Sequence, residues 1–561
     1  MITAISSTTS QPMAQRHNKL DNISYIRLFS HPVDKLDINF ASQKSLQKGL
    51  FTAVAMLENN PKWQQSIKRE KPLKVKANET RTAFEIDYTR IMHSEGNDRM
   101  RYKSQSYVPI ESHIFKQENI QHLVENDMIS TRSTHVAQVA DISRRICKHL
   151  GLNEELAEAI ALGHDLGHSP FGHEGENALK KITIEHGLEP FWHEKNSLKM
   201  VDDLLTLESS SGKIKNMNLT YAVRDGIICH CGEVDQNGIK PRNEILNLPE
   251  FQKGKQPQPY TWEGCVVKIS DKIAYIGRDI EDALRTGALE DNDRKALKKI
   301  VKNHLPDFKE EVNNSSLINL FTKDLIEHST PKTGISFSKE VFGVMNDIKK
   351  FNYKHIYHSP KQKPAAEFYQ EVLGTIFHEY DSLYKGKDTA VFLNEKAKPS
   401  TKSLKSWLIK YSEGQDRPQG AQNKIVYDLD DKQQYRQAVI DFMSGMTDKY
   451  AQKTYQKIKK EQKTDKLAQL KTQQVNAVLT GTFKDFKNIR QEFAKEAITD
   501  FDAAKNAPAP KLTVPLFSGL GLKMATFYIK GLFTKKTPAQ KILAQKVKLD
   551  RIENKYFKEK P

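Results

Sequence analysis

The chain has 561 residues, of which 38% are hydrophobic and 28% charged, and its mean hydropathy is −0.64. That composition excludes wholesale disorder, and at ~150 residues per domain the length points to three or four domains or one large domain with extensions. The net charge of +17 favours polyanionic partners (nucleotides, nucleic acid or an anionic membrane face) without choosing among them.

The first twenty residues, MITAISSTTSQPMAQRHNKL, contain no long apolar run, so no secretory signal is expected. Residues 1–77 read as an extension with some helix, ending in a lysine-rich stretch. From 78 to 385 apolar residues recur at helical spacing and alternating strand-like runs are few, which predicts an all-α core. Val136, Val139, Ile142 and Ile146 form one such stripe. Leu152 to Leu166 predicts another helix, with Asn153 as its N-cap before Glu154 and Glu155. Around 385–425 the glycines and prolines predict loops or an insertion. Helical pattern returns from Tyr427 to Tyr455, and residues 456–561 read as a basic, largely helical extension. Within that extension, Val514 to Phe533 is apolar but carries Lys523 and Lys530. It is expected to pack or lie on a surface rather than span a bilayer, and no membrane partner is expected.

The four cysteines, Cys147, Cys229, Cys231 and Cys265, offer no disulfide framework and fit a reducing cytosol, so a cytoplasmic location is expected. Cys229 and Cys231 flank His230. No second cysteine pair follows at zinc-site spacing, and the two read as small buried residues on a helix.

The chemistry concentrates between Thr131 and Leu179. His164 and Asp165 are adjacent, and neighbours inside a regular helix point about 100° apart. At a helix end they can converge, and Gly163, Gly167, Pro170 and Gly172 require the helix to stop there. An imidazole beside a carboxylate suits Mn or Mg, with Fe, Co or Zn also compatible, rather than a soft-metal site. His173 and Glu176, at i and i+3, share one helix face and form a candidate acid–base pair. His135 on the preceding helix, and Asp271 in the apolar segment VVKISDKIAYIGRDIEDAL, are candidates to complete a metal site. A carboxylate there is costly to bury unless it is paired or binds metal.

The order His…His-Asp…Asp resembles the signature of the HD superfamily. The blocks THVAQVA, EAIALGHDLGHSPFGHEGENAL, FWHEKNSL, NLTYAVRDGIICHCGE and SDKIAYIGRDIEDAL together resemble its dGTPase-like branch, over roughly residues 80–455. YTRIMHSEGNDRMRYKSQS resembles the segment before that family's core, and FMSGMTDKYA its closing helix. The resemblance implies an α-helical HD core over 78–385, a polar insertion and closing helix over 386–455, and hydrolysis of a deoxynucleoside triphosphate to deoxynucleoside and triphosphate. By position it implies His135, His164, Asp165 and Asp271 as ligands of a divalent metal. His173 and Glu176 match the family's catalytic pair, and His168 and His193 match histidines around its phosphate site. Arg132 and Lys272 match phosphate contacts, Tyr275 and Asp279 the sugar lining, and Gln105 a sensor of the sugar 3′-OH, with Arg90 in the same segment. Where the family carries a basic-aromatic stretch before that glutamine, this chain has Asn97, Asp98, Arg99 and Met100. A homo-oligomer and a single-stranded DNA or dNTP effector are further implications.

Two other readings fit these residues. One is a different HD phosphohydrolase, acting on nucleotide monophosphates or single-stranded nucleic acid. The other is a non-catalytic nucleotide or nucleic-acid binding protein, against which the retained His173 and Glu176 argue.

Overall fold

The computed structural model describes residues 51, 61–73, 78–105, 130–209, 211–230, 236–252, 257–359, 363–395, 398–414 and 416–480. Most of the expected N-terminal extension, the chain beyond 480 with its apolar stretch Val514 to Phe533, and Cys231 lie outside these. The described residues are overwhelmingly helical, as expected, and hold one short antiparallel hairpin, Thr206–Glu208 (β1) with Ile214–Asn216 (β2). None of their helices is long and apolar enough to cross a membrane. The chain divides into two units, Met1–Ala451 and Gln452–Pro561, and the described part of the second is helix through Thr480.

Local signals set the helices that carry the site. Thr82 and Glu85 form a capping box at the start of Ala83–Met92 (α2, after the short α1 at Pro61–Ser66). Glu95–Met100 (α3) follows. Arg132–Leu150 (α4) is capped by the Thr131 hydroxyl and ends at Gly151, whose φ of +75° requires the left-handed region. Its stripe of Val139, Ile142 and Ile146 is fully buried, worth about 1.5–3 kcal/mol per side chain relative to exposure. Glu154–Gly163 (α5) starts where expected, with the Asn153 Oδ1 accepting from the Leu156 N–H at 2.7 Å.

Gly172–Glu185 (α6), His193–Lys199 (α7), Tyr221–Cys229 (α8) and the long Trp262–Arg285 (α9) complete the core. Helices α4, α5, α8 and α9 pack against one another, and α2 lies on α5. Buried charges lock this packing. The Glu263 carboxylate on α9 accepts from the Asn153 N–H at 2.9 Å. Asp225 on α8 pairs with Arg242 and accepts from the Tyr260 N–H at 2.7 Å.

Beyond α9 come Asp291–His304 (α10), Asn314–His328 (α11), Lys339–Asn352 (α12) and Lys363–Ser382 (α13), the last packed on α6. The expected loop region around 385–425 differs from expectation. It contains Thr389–Glu395 (α14) and Lys402–Tyr411 (α15). In α15, Leu404, Leu408 and Tyr411 lie at i, i+4 and i+7 and are buried, so a short apolar face outweighs the flanking glycines and prolines. Lys432–Ser444 (α16) and Asp448–Thr480 (α17) close the described chain.

Candidate metal centre and phosphohydrolase site

Helix α5 stops where the glycines require. His164 occupies its C-cap, and the His164 Nδ1 lies 2.6 Å from the Ala161 carbonyl oxygen. A carbonyl only accepts, so Nδ1 carries the hydrogen and Nε2 is left as a lone-pair donor. Asp165 follows in the turn. The chain then passes through two successive left-handed residues, Phe171 (φ +66°) and Gly172 (φ +59°), as it enters α6. A Cβ on Gly175 would sit 1.8 Å from the Pro170 carbonyl oxygen, so this turn closes only around a glycine. Gly175→Ala is expected to cost about 1–3 kcal/mol or more of stability and most of the activity. A denaturant midpoint equal to wild type would contradict that.

The turn brings four side chains together. His135 Nε2 lies 2.9 Å from Asp271 Oδ1, and His164 Nε2 lies 3.9 Å from the same oxygen. Asp165 Oδ2 is 3.6 Å from His164 Nε2 and 4.0 Å from His135 Nε2. Two imidazole nitrogens and two carboxylates at these separations fit a divalent cation bonded at about 2.0–2.2 Å to each. The buried His164 Nε2 has no hydrogen-bond partner among the described residues, an orphan that a metal satisfies.

A second group abuts the first. His193 at the start of α7 places Nε2 3.9 Å from Asp165 Oδ1 and Nδ1 2.9 Å from Glu176 Oε2. The Glu176 Oε1 also accepts the His193 backbone N–H at 3.1 Å. His173 Nδ1 is 3.6 Å from Glu176 Oε2, beyond a good hydrogen bond, and its side chain is 65% exposed. The i, i+3 pair therefore differs from the simple expectation, because Glu176 grips His193 at two points and only approaches His173. The buried His168 ring lies 4.7 Å from that of His193 and 5.3 Å from that of His173.

Electrostatics reinforce this grouping. Burial works to raise the Asp165 carboxyl, but Arg132 and the imidazoles of His164, His168 and His193 hold it well below the usual carboxylate range. Burial works to lower His193, while the carboxylates of Glu194 and Glu176 push it up to about 10.

Arg132 donates to Asp165 Oδ2 at 2.6 Å and to the Gln105 carbonyl at 3.1 Å. Gln105 is buried, and its Oε1 has no hydrogen-bond partner among the described residues. Asp271, Tyr275 and Asp279 follow one face of α9 at i, i+4 and i+8, with Lys272 turned aside by one residue. Asp271 meets His135, and the Asp282 carboxyl, pushed up to about 6 chiefly by burial, lies near Ser130. Tyr275 and Asp279 therefore run beside the start of α4, where Arg132 lies. Arg90 does not join this group. It donates to the Met217 and Asn218 carbonyls at 2.5 and 3.2 Å and lines a separate cleft of about 810 Å³ with Arg224 and Lys424.

Three residues were not singled out from sequence. Tyr357 donates its hydroxyl to Asp279. Lys103 donates to the carbonyls of His168 and Ser444, and Asp448 accepts from the N–H groups of Phe171 and Ser104. No local signal marks Tyr357, which stands in a π-helical turn far along the chain. Nor does a local signal mark Lys103 or Asp448, which stand in the mixed polar stretches RMRYKSQS and GMTDKYAQ.

A helical core that converges two imidazoles and two carboxylates at one helix end, beside an arginine and further histidines, defines a metal-dependent phosphohydrolase of the HD type. Residues 132–276 match the family model of the HD domain. The chain is 33% identical over 379 residues to a deoxyguanosinetriphosphate triphosphohydrolase-like protein of Caldanaerobacter subterraneus, spanning 67% of this chain and 85% of the relative. It is 31% identical over 386 residues to the protein of that description from Pelagibacter ubique, spanning 66% and 92%. With the Clostridium tetani protein of that description it shares 33% over 313 residues, 55% and 76% of the two chains. The chain belongs to the deoxyguanosinetriphosphate triphosphohydrolase-like family of HD-domain proteins.

Proposed function

We propose that this protein hydrolyses deoxynucleoside triphosphates, dGTP or several dNTPs, to the deoxynucleoside and intact triphosphate. The observation that carries the reading is the position of Asp165. One carboxylate lies 2.6 Å from Arg132, 3.6 Å from His164 and 3.9 Å from His193. Metal-binding and phosphate-binding groups thus meet at one point. The names of the relatives support the substrate class.

A divalent ion on His135, His164, Asp165 and Asp271 would polarise the α-phosphate and acidify bound water. The chain's own residues do the rest. Arg132, Lys272 and protonated His193 offset charge on the phosphates as it grows, and His168, kept neutral by burial and by Arg132 beside it, offers a ring nitrogen for a hydrogen bond. Glu176 orients His193. His173, at the open side, delivers a proton to the departing 5′-oxygen. The water gives up a proton to solvent as its oxygen bonds to the α-phosphorus, the bond from phosphorus to the 5′-oxygen breaks, and that oxygen takes the His173 proton and leaves as the nucleoside hydroxyl. Tyr275 packs on the sugar and leaves no room for a ribose 2′-OH. The unpartnered Gln105 Oε1 accepts from the 3′-OH, and Tyr357 steadies Asp279 beneath the sugar. The reading extends to a homo-oligomer, and to a dNTP or single-stranded DNA effector whose binding would weaken steeply with salt, in keeping with the chain's net charge of +17.

The test is to strip metal, restore Mn, Mg, Fe, Co or Zn in turn, and offer each dNTP singly and mixed. Deoxynucleoside and triphosphate are expected in the metal-restored samples only, and none from Asp165→Ala. Mononucleotides or orthophosphate alone would indicate a different HD hydrolase. No turnover with any metal or mixture would leave a non-catalytic binding protein.

A further inference from the structure

Two helices end in the same way beside the centre. α5 stops at Gly163 with His164 at its C-cap, and α8 stops at Cys229 with His230 at its C-cap. In each, the ring Nδ1 lies 2.6 Å from the carbonyl oxygen three residues back, Ala161 in one case and Ile227 in the other. The consequence is the same for both rings. Nδ1 must carry the hydrogen, and Nε2 is presented as an electron-pair donor in a fixed direction. His230 is only 3% exposed. Its ring centroid is 4.8 Å from that of His164 and 5.7 Å from that of His193. Ligand atoms of His164, Asp165 and His230 all lie within 4.8 Å of one another.

The support behind His230 is rigid. Helix α8 is held by the Asp225 carboxylate, which pairs with Arg242 and accepts the Tyr260 N–H at 2.7 Å. A histidine needed only to fill space gains nothing from a fixed tautomer aimed at a carboxylate and a second imidazole. The Cys-His-Cys run at 229–231 thus contributes through its histidine. The thiol of Cys229 is instead directed at Asp225, 3.9 Å away.

We propose that His230 is a fifth metal-binding residue, its Nε2 binding the ion that His164 and Asp165 hold. This rests on the metal centre described under the proposed function and adds one ligand to it.

The experiment titrates metal-free, full-length protein with Co(II), following the visible absorption band and, by equilibrium dialysis, the affinity. Wild type, His230→Ala, His230→Gln and His135→Ala are compared. Gln keeps most of the ring's volume and provides the result if the alanine variant does not fold. Circular dichroism of the metal-free proteins checks folding. Both His230 variants are expected to lose at least ~10-fold in Co(II) affinity and to shift the band, as His135→Ala does. Wild-type affinity in the folded His230 variants overturns the proposal and leaves the four-residue centre standing. Weaker binding with an unchanged band overturns it too, because His230 would then not touch the ion. If wild type itself binds no Co(II), the metal centre fails, and this proposal with it.

Discussion

Replacing His173 by alanine is expected to lower kcat by ~10²–10⁴-fold, the range for loss of a positioned acid or base. Metal content and melting temperature should stay at wild-type values. The separation is clean because the His173 side chain is 65% exposed and its nearest ionic neighbour, Glu176 Oε2, is 3.6 Å away, so removing it leaves no buried group unpaired. Glu176→Gln should behave differently. Glu176 is buried and touches His193 through both carboxylate oxygens, at 2.9 and 3.1 Å. His193 is pulled down by burial but raised to about 10 by Glu194 and Glu176. Losing Glu176 removes one of the carboxylates that hold its proton, so His193 gives up that proton at a lower pH. If protonated His193 is the active form, the alkaline limb of the rate–pH profile shifts to lower pH in Glu176→Gln and stays in place in His173→Ala. Steady-state rates over a pH series distinguish the two variants. Identical profiles would show that Glu176 does not act through His193.

Asp448→Ala is expected to be the most destabilising of the substitutions considered. Its carboxylate is buried, with Oδ1 accepting the Phe171 N–H at 2.9 Å and Oδ2 accepting the Ser104 N–H at 2.9 Å. Alanine leaves two buried N–H groups unsatisfied, about 1–3 kcal/mol each, or roughly 2–6 kcal/mol together. The conformation it releases is also costly, since Phe171 is a non-glycine residue at φ +66°. What remains to hold that residue is the stacking of its ring on Tyr369, 4.7 Å between centroids. The loss should reach function as well, because Phe171 lies two residues before His173 and Ser104 one before Gln105. Lys103 braces the same junction by donating to the carbonyls of His168 and Ser444. Urea denaturation with kinetics on the folded fraction tests both effects, and Asp448→Asn, which keeps one acceptor, should fall between. A wild-type urea midpoint for Asp448→Ala would refute the clamp.

The sequence by itself determined what depends on neighbours along the chain. Thr131 and Asn153 cap their helices because a short side-chain oxygen reaches an N–H three residues on. The buried stripe of α4 follows from the helical period. The stop after Gly163 follows from glycines and a proline that cannot continue a helix. The order of the candidate ligands was legible for the same reason, as short motifs on separate helices.

Tertiary structure decided the partners. Arg90 turns to the Met217 and Asn218 carbonyls, 127 and 128 residues away, rather than to the site. Glu176 takes His193 ahead of His173, Tyr357 finds Asp279, and His230 comes up beside His164. The helices at 389–395 and 402–411 form where the chain reads as loop, because Leu393 in the first and Leu404, Leu408 and Tyr411 in the second are buried. Helical spacing fixes only which side chains share a face. Which face meets which is set by packing the whole core at once, and buried polar groups then bind whatever partner that packing brings within reach.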